Sequence, residues 1–216
     1  GIKRMYQDHE NIFYYITVYN ENHVMPAMPA DRPDLEEQIL SGGYCFERSE
    51  KSGKKVHLLA SGSIMQQAIN ARTTLEGLGY SVDIWSITSY VELARDAQSC
   101  ERYNRLHPQE TPRKSTVENL FADEEGVFIS VSDYMKTLAN SIAKWMPDAF
   151  EALGTDGFGL SESREDLRNF FEVSDNYVAH AVISLLYREK IISKKAFEKQ
   201  VADLRVEIDK VDPASR

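Results

Sequence analysis

The run Lys55–Thr88, KVHLLASGSIMQQAINARTTLEGLGYSVDIWSIT, decides the fold. Val56 to Ala60 is a short apolar stretch that ends at Ser61-Gly62-Ser63, the signature of a strand running into a tight turn. Ser63, with Gln66 three residues later, predicts a capping box. Ile64, Ala68, Ala71, Leu75 and Leu78 recur at spacings of four and three, which puts them on one helical face. Gly77 and Gly79 stop that helix, and Val82 to Ile87 is a second β-rich run. Strand, turn, helix and strand in this order form a right-handed crossover between parallel strands. The other apolar segments then add layers to one sheet.

Upstream, Ile2 to His9 predicts the end of a helix. Ile12 to Val18 predicts a strand rich in β-branched and aromatic residues, with no partner nearby in sequence. A polar run follows, Tyr19-Asn20-Glu21-Asn22-His23, then three prolines, Pro26, Pro29 and Pro33. Proline fixes φ and lacks a donor, so this stretch reads as an extended linker. Pro33 to Leu40 predicts a short helix ended by Gly42-Gly43, and Tyr44 to Arg48 a brief strand.

Downstream, Val91 to Leu106 predicts a helix, and His107 to Arg113 a loop stiffened by Pro108 and Pro112. Ser115 to Phe121 predicts a capped short helix and Val127 to Val131 a strand. Asp133 is expected to cap a helix carrying Tyr134, Leu138, Ile142 and Trp145. Phe150 to Leu153 predicts a last strand before Gly154-Thr155-Asp156-Gly157-Phe158-Gly159. Three helices close the chain: Arg164 to Phe171 behind Ser163, a doubly apolar helix opened by Ser174, and one opened by Ser193. The stripe of the last is Phe197, Val201, Leu204 and Ile208. The fold class is α/β, with a mostly parallel sheet of about five strands and flanking helices.

At 216 residues the chain can bury a full core. A net charge of −9 argues against a nucleic-acid binder, which needs a basic face to displace counterions, and against an anionic membrane surface. No apolar run approaches the roughly 20 residues of a membrane helix, and no signal peptide is visible. Cys45 and Cys100 read as two reduced thiols in a cytoplasmic protein. The orphan strand at the start is expected to be the end of a preceding domain, so the chain reads as the C-terminal part of a longer polypeptide.

The sequence has no HExxH, CxxC or GxSxG, and its five histidines are not spaced as metal ligands. The turn Ser61-Gly62-Ser63 could hold a phosphate on free N–H groups. It matches neither GxGxxG nor the P-loop pattern, and a plain strand-to-helix turn also accounts for it. His57 and His180 lie in regular elements and read as structural. His107, in the proline-flanked loop, is an acid or base candidate or a polar loop residue. The Gly154–Gly159 loop follows a strand end, where α/β sheets place functional loops. Its glycines suit a ligand site or close packing against another domain. Asp156 either serves that surface or stabilises its own turn. Arg164 and Arg168, one turn apart, are expected to pair with Asp156 or with a partner surface.

The runs YYITVYNENHVMPAMP (14–29), SITSYVELARDAQSCERYNRLHPQETPR (86–113), SDYMK (132–136) and LGTDGFGLSESREDLRNFFEV (153–173) carry a family resemblance. They resemble the C-terminal end of the homodimeric bacterial pyruvate dehydrogenases, the thiamine-diphosphate-dependent decarboxylating components among the transketolase-like enzymes. The resemblance implies that 1–22 is the end of a pyrimidine-binding domain, 23–42 a linker and 43–216 a transketolase-like C-terminal domain. It implies decarboxylation of pyruvate on thiamine diphosphate and acetylation of a lipoyl group by the full-length enzyme. Thiamine diphosphate and magnesium would sit in upstream domains, and neither is expected in this piece.

No catalytic, cofactor-binding or metal residue is carried over. The candidates for an active-site edge or an interface are Asn20, Glu21, Asn22, His107, Asp156 and Phe158. The implied partners are the rest of the same polypeptide, a second subunit of a homodimer and the dihydrolipoyl acetyltransferase core, with no nucleic acid and no membrane. The alternative is a free-standing α/β module that binds a small anion or serves as a regulatory interface. Within the family, a transketolase is the other possibility, and the run ELARDAQSCERYNRLHP favours the dehydrogenase.

Overall fold

The computed structural model describes residues 1–16, 18, 21, 22, 27 and 31–215. Five strands form one sheet: β1 (Tyr44–Glu47), β2 (Lys54–Ala60), β3 (Tyr80–Ser86), β4 (Val127–Val131) and β5 (Phe150–Leu153). Their order is β1-β3-β2-β4-β5. Strands β3, β2, β4 and β5 are parallel, and β1 joins β3 antiparallel at one edge. The helices are α1 (Leu35–Ser41), α2 (Met65–Gly77), α3 (Tyr90–Leu106), α4 (Thr116–Leu120), α5 (Lys136–Asn140), α6 (Arg164–Phe170), α7 (Asp175–Arg188) and α8 (Lys194–Val201).

Alternation along the central strands builds two cores, because successive side chains of a strand point to opposite faces. Val56, Leu58 and Ala60 of β2, with Val127, Ile129 and Val131 of β4, pack with α2 and α7 on one face. Leu59, Trp85 and Phe128 pack with α3 and α4 on the other. Every residue of β4 is buried, as expected of a parallel strand covered on both faces. The doubly apolar helix is α7, whose seven buried residues include Val178, Val182, Leu185 and Leu186.

The crossover β2-α2-β3 forms as the sequence implies, and Ile64, Ala68, Ala71 and Leu75 are fully buried while Leu78 is half exposed. The expected capping box at Ser63 does not form. Ser63 sits inside a 3-10 turn, Gly62–Ile64, and its Oγ donates to Asp133 at 2.7 Å. Ser63 is thus already inside a helical turn, and Ile64 stands at the N-cap position of α2, where only an extended residue outside the helix can aim its side chain at the free N–H groups. Asp133, thus engaged, caps no helix: α5 starts at Lys136 and ends at Asn140, and Ala143–Trp145 is a separate 3-10 turn.

The capping box at Ser115 and Glu118 is present, with both reciprocal bonds. Ser193 caps α8 through Ala196 N–H. Ser174 stands at the N-cap of α7, but the Asp175 N–H goes to Gln67 Oε1 instead. The last helix is shorter than its stripe implies: it ends at Val201, and Ile208 is exposed.

The described residues of 12–18 belong to no strand. A strand needs a ladder, and the sheet edges formed by β1 and β5 do not take this segment in. Phe13, Tyr15, Ile16 and Val18 are exposed there. Of the proline-rich stretch 23–30, only Ala27 is among the described residues.

Candidate functional site

Four parallel strands end at one edge, so the turns after them meet there: 61–63, 86–89, 132–135 and 154–158. Strand β2 is followed in sequence by β3 on one side and has β4 on the other, so connections leave it in opposite directions. Open α/β sheets form their crevice at such a reversal, outside the carboxyl ends of the strands. A crevice of about 400 Å³ lies here, lined by Ser61, Gly62, Thr88, Tyr90, Tyr134 and Leu138 with neighbouring backbone. Gly62 turns at φ +61°, a left-handed conformation that glycine adopts without steric cost.

The Ser61, Thr88 and Tyr90 hydroxyls of the crevice are engaged, Thr88 Oγ1 donating to the Ile39 carbonyl at 2.6 Å. Ser61 Oγ donates to the Ile87 carbonyl at 2.8 Å. The Tyr90 and Ser130 hydroxyls lie 2.6 Å apart. Burial pushes the Tyr90 phenol well above its ordinary range, so it stays protonated. Among the described residues no lysine, arginine or histidine lines the crevice, and the Asp133 carboxylate is bonded to the turn that opens α2. A diphosphate there would meet no cation among these residues, so they do not fit that group.

Beside the crevice, Gly154 touches backbone. A Cβ on it would come within 2.3 Å of Tyr134 O and 3.0 Å of Lys136 N. Thr155 N–H donates to Tyr134 O at 3.0 Å. Asp156 is used at home: Oδ1 accepts from Lys136 N–H at 2.9 Å and Oδ2 pairs with Lys136 Nζ at 3.1 Å. Asp156 therefore ties its loop to the start of α5 instead of bonding within its own turn. Arg164 and Arg168 do not reach it; they pair with Glu21, at 3.4 and 2.9 Å. Proximity decides this, because Glu21 lies over α6 while Asp156 turns toward α5.

Phe158 points outward and is 84% exposed, and Tyr134, Met135 and Leu160 are exposed apolar neighbours in the turns of this edge. Asn22 is exposed, and Asn20 lies outside the described residues. His107 sits at the end of α3. Its Nδ1 meets Tyr103 O at 3.0 Å, its ring stacks on Tyr103 at 4.1 Å, and Arg113 covers the other side of that tyrosine. None of these contacts joins His107 to Asp156 or Phe158.

A second polar place lies within the sheet. Strand pairing sets His57 opposite Asp83, and Glu124 approaches from the turn before β4. Sequence spacing hides this group, although a buried acid inside the apolar run of β3 is a signal in itself. The ligand atoms of these three residues are close enough to surround an ion, yet their chemistry is already spent. Trp85 Nε1 donates to His57 Nδ1 at 3.1 Å, and His57 Nε2 meets the Glu125 carbonyl at 3.1 Å. That pattern assigns the proton to Nε2 and leaves neither nitrogen for a metal.

Arg48 bridges Asp83 and Glu124, and Lys55 pairs with Asp83 at 3.2 Å. Burial pushes the His57 imidazole below its usual range, so it is neutral and its approaches to Asp83 and Glu124 are not ion pairs. Burial alone would raise the Asp83 carboxyl. The Ser49 N–H, Arg48 and Lys55 outweigh it and hold the group below the carboxylate range. The cluster is a closed ion-pair network.

The family model for the transketolase-like TK C-terminal domain matches residues 42–174. The chain is 44% identical over 216 residues to the pyruvate dehydrogenase E1 component of Escherichia coli strain K12, covering 99% of this chain and 24% of that protein. It is 40% identical to the pyruvate dehydrogenase E1 component of Pseudomonas aeruginosa, again over 99% of this chain and 24% of that protein. The chain thus spans about a quarter of the length of the curated relatives it matches. Among solved structures, a transketolase from Campylobacter jejuni aligns with a TM-score of 0.45 at 22% identity, over 67% of this chain and 18% of that one.

Proposed function

We infer, from the premise that this chain belongs to the transketolase-like C-terminal domain family, that it is the C-terminal portion of a pyruvate dehydrogenase decarboxylating component. In this reading 1–22 ends a pyrimidine-binding domain, 23–42 is a linker and 43–216 is the C-terminal domain. The full-length enzyme decarboxylates pyruvate on thiamine diphosphate held with magnesium by upstream domains. It passes the acetyl group to the lipoyl group of an acetyltransferase core. The enzyme is a cytoplasmic homodimer. The residues of this chain complete the subunit, support the dimer and border the approach to the active site.

The observation that carries this reading is the carboxyl edge itself. It offers exposed Phe158, Met135, Tyr134 and Leu160 around a crevice without cationic lining. Exposed apolar patches mark contact surfaces, and the donor set does not suit a phosphate. Phe158 is the anchor, and Asp156 holds the loop that presents it. Glu21 joins the upstream segment to α6, and Asn20 and Asn22 are candidates for the same edge. His107 is a border candidate whose open Nε2 faces solvent. The free-standing anion-binding module lacks support from the same lining.

The test uses the full-length polypeptide. Phe158→Asp is expected to weaken dimer association at least about tenfold in sedimentation velocity, a scale set by losing one interface anchor. Pyruvate decarboxylation should fall with it. Unchanged association and turnover overturn the interface reading.

A further inference from the structure

Segment 204–215 returns from α8 across α6 and α7 as a strap. Lys210 fastens it. Its Nζ donates to the carbonyls of Asn169 and Phe170, the latter at 2.8 Å, in the last turn of α6. It lies 4.5 Å from the centroid of the Tyr177 ring and 3.7 Å from a Glu172 carboxylate oxygen. A cation at the carboxyl end of a helix satisfies carbonyls the helix leaves open and meets the negative end of its dipole. The Lys210 side chain is only 12% exposed. Tyr177 makes a second fastening: its hydroxyl donates to the Glu207 carbonyl at 3.2 Å and accepts from the Glu207 N–H at 3.1 Å.

The strap then reaches the β5–α6 loop. A Cβ on Gly157 would meet Pro213 O at 3.0 Å and the Ala214 Cα at 3.3 Å. Gly157 has φ +84°, so backbone lies on backbone there. The strap therefore touches both the start of the loop–helix segment, at Gly157, and its end, at Asn169 and Phe170. Helix α6 has no buried residue of its own. Leu167 and Phe170 pack against the core only in part, so polar ties add to the fixing of its position. On its other flank the ties are Arg164 and Arg168 to Glu21.

We propose that segment 204–215 is a positioning strap for the β5–α6 loop, with Lys210 as the positioning residue that sets where Phe158 is presented. The inference concerns how the loop is held, and it stands whether or not Phe158 serves the interface assigned above.

Amide hydrogen exchange on the full-length polypeptide tests it, comparing wild type, Lys210→Met and Lys210→Arg. Met keeps much of the packing and removes the charge; Arg restores the charge. In Lys210→Met, amides of 155–161 should exchange about tenfold faster together with those of 204–212, as local opening does, while β2 and β4 stay protected. Lys210→Arg should return both segments most of the way to wild type. Faster exchange in the strap alone, with 155–161 unchanged, overturns the proposal, and so does equal acceleration in the Arg variant. If Lys210→Met loosens the whole domain, Tyr177→Phe decides: it removes only the Glu207 tie, and it should open the same two segments. An unchanged loop in that variant overturns the proposal.

Discussion

The sheet carries two polar places of opposite character. Around His57 and Asp83, both of which are buried, each titratable group has a partner, and the site is closed on itself. At the carboxyl edge the floor is neutral, the Ser61 and Tyr90 hydroxyls are matched, and aromatic and apolar side chains stand in solvent. The first looks like chemistry and is structure. The second has almost no titratable chemistry and is the surface most open to a partner. Perturbed ionisation alone points to the wrong one, because structural ion-pair networks perturb pKa values as active sites do. The deciding question is whether a group has bonding capacity left.

The strongest way to break this comparison is to open the closed place. Asp83→Ala removes the acceptor of Arg48, Lys55 and the Ser49 N–H. Breaking a fully buried pair costs about 3–5 kcal/mol. Both cations are half exposed and can rehydrate, so about 2–3 kcal/mol is expected from urea unfolding. A loss below about 0.5 kcal/mol, the range of ordinary surface changes, would mean the network is not structural.

Gly154→Ala attacks the open place at its one rigid point. The new methyl would strike Tyr134 O and Lys136 N, both backbone atoms that cannot swing away. Overpacking of this kind costs about 1–3 kcal/mol. The shift should also release the Thr155–Tyr134 bond, which amide exchange at Thr155 reads directly. Wild-type stability with wild-type protection there would show that the close approach is relaxed in solution.

The pH dependence of the closed place is a smaller effect. The folded His57 binds its proton more weakly than an unfolded histidine, whose pKa is near 6.5. Its contribution is complete above that value and is lost as pH falls below it, because the unfolded chain then takes up the proton. The sign is therefore falling stability on acidification, in the window below the unfolded pKa. His180 is shifted in the same direction by burial and adds to the slope. His57→Phe should flatten the profile without abolishing it. A profile identical to wild type would place the titration elsewhere.

The sequence made the sheet legible and the site only partly so, for a physical reason. Strands β4 and β5 and the crossover around α2 follow from local periodicity and turn chemistry, which neighbours along the chain determine. What stayed hidden depends on partners distant in sequence. Ser63 looked like a cap, but it sits inside a 3-10 turn and ties to Asp133, 70 residues away. Ser174 stands at an N-cap and makes no cap bond, while the first N–H of the helix goes to Gln67. The proximity of His57, Asp83 and Glu124 exists only once β2, β3 and β4 are paired. Residues 12–18 have the composition of a strand, and composition supplies no ladder.

The last prediction separates the two places by what a substitution does not do. Phe158 is 84% exposed, and the residues that hold its loop are Asp156, Lys136, Tyr134 and the strap. Phe158→Ala therefore removes little buried area from this chain, and its cost in unfolding free energy should stay within about 0.5 kcal/mol. A buried phenylalanine cut to alanine costs about 3–5 kcal/mol by contrast. The same substitution in the full-length polypeptide should lower association and turnover, because the ring's area is buried only against a partner. Stability and association therefore respond oppositely at the two places: Asp83→Ala lowers stability first, Phe158→Ala lowers association alone. A stability loss of core size at Phe158 would mean that the ring packs inward in solution, and the carboxyl edge would then no longer be the open half of the pair.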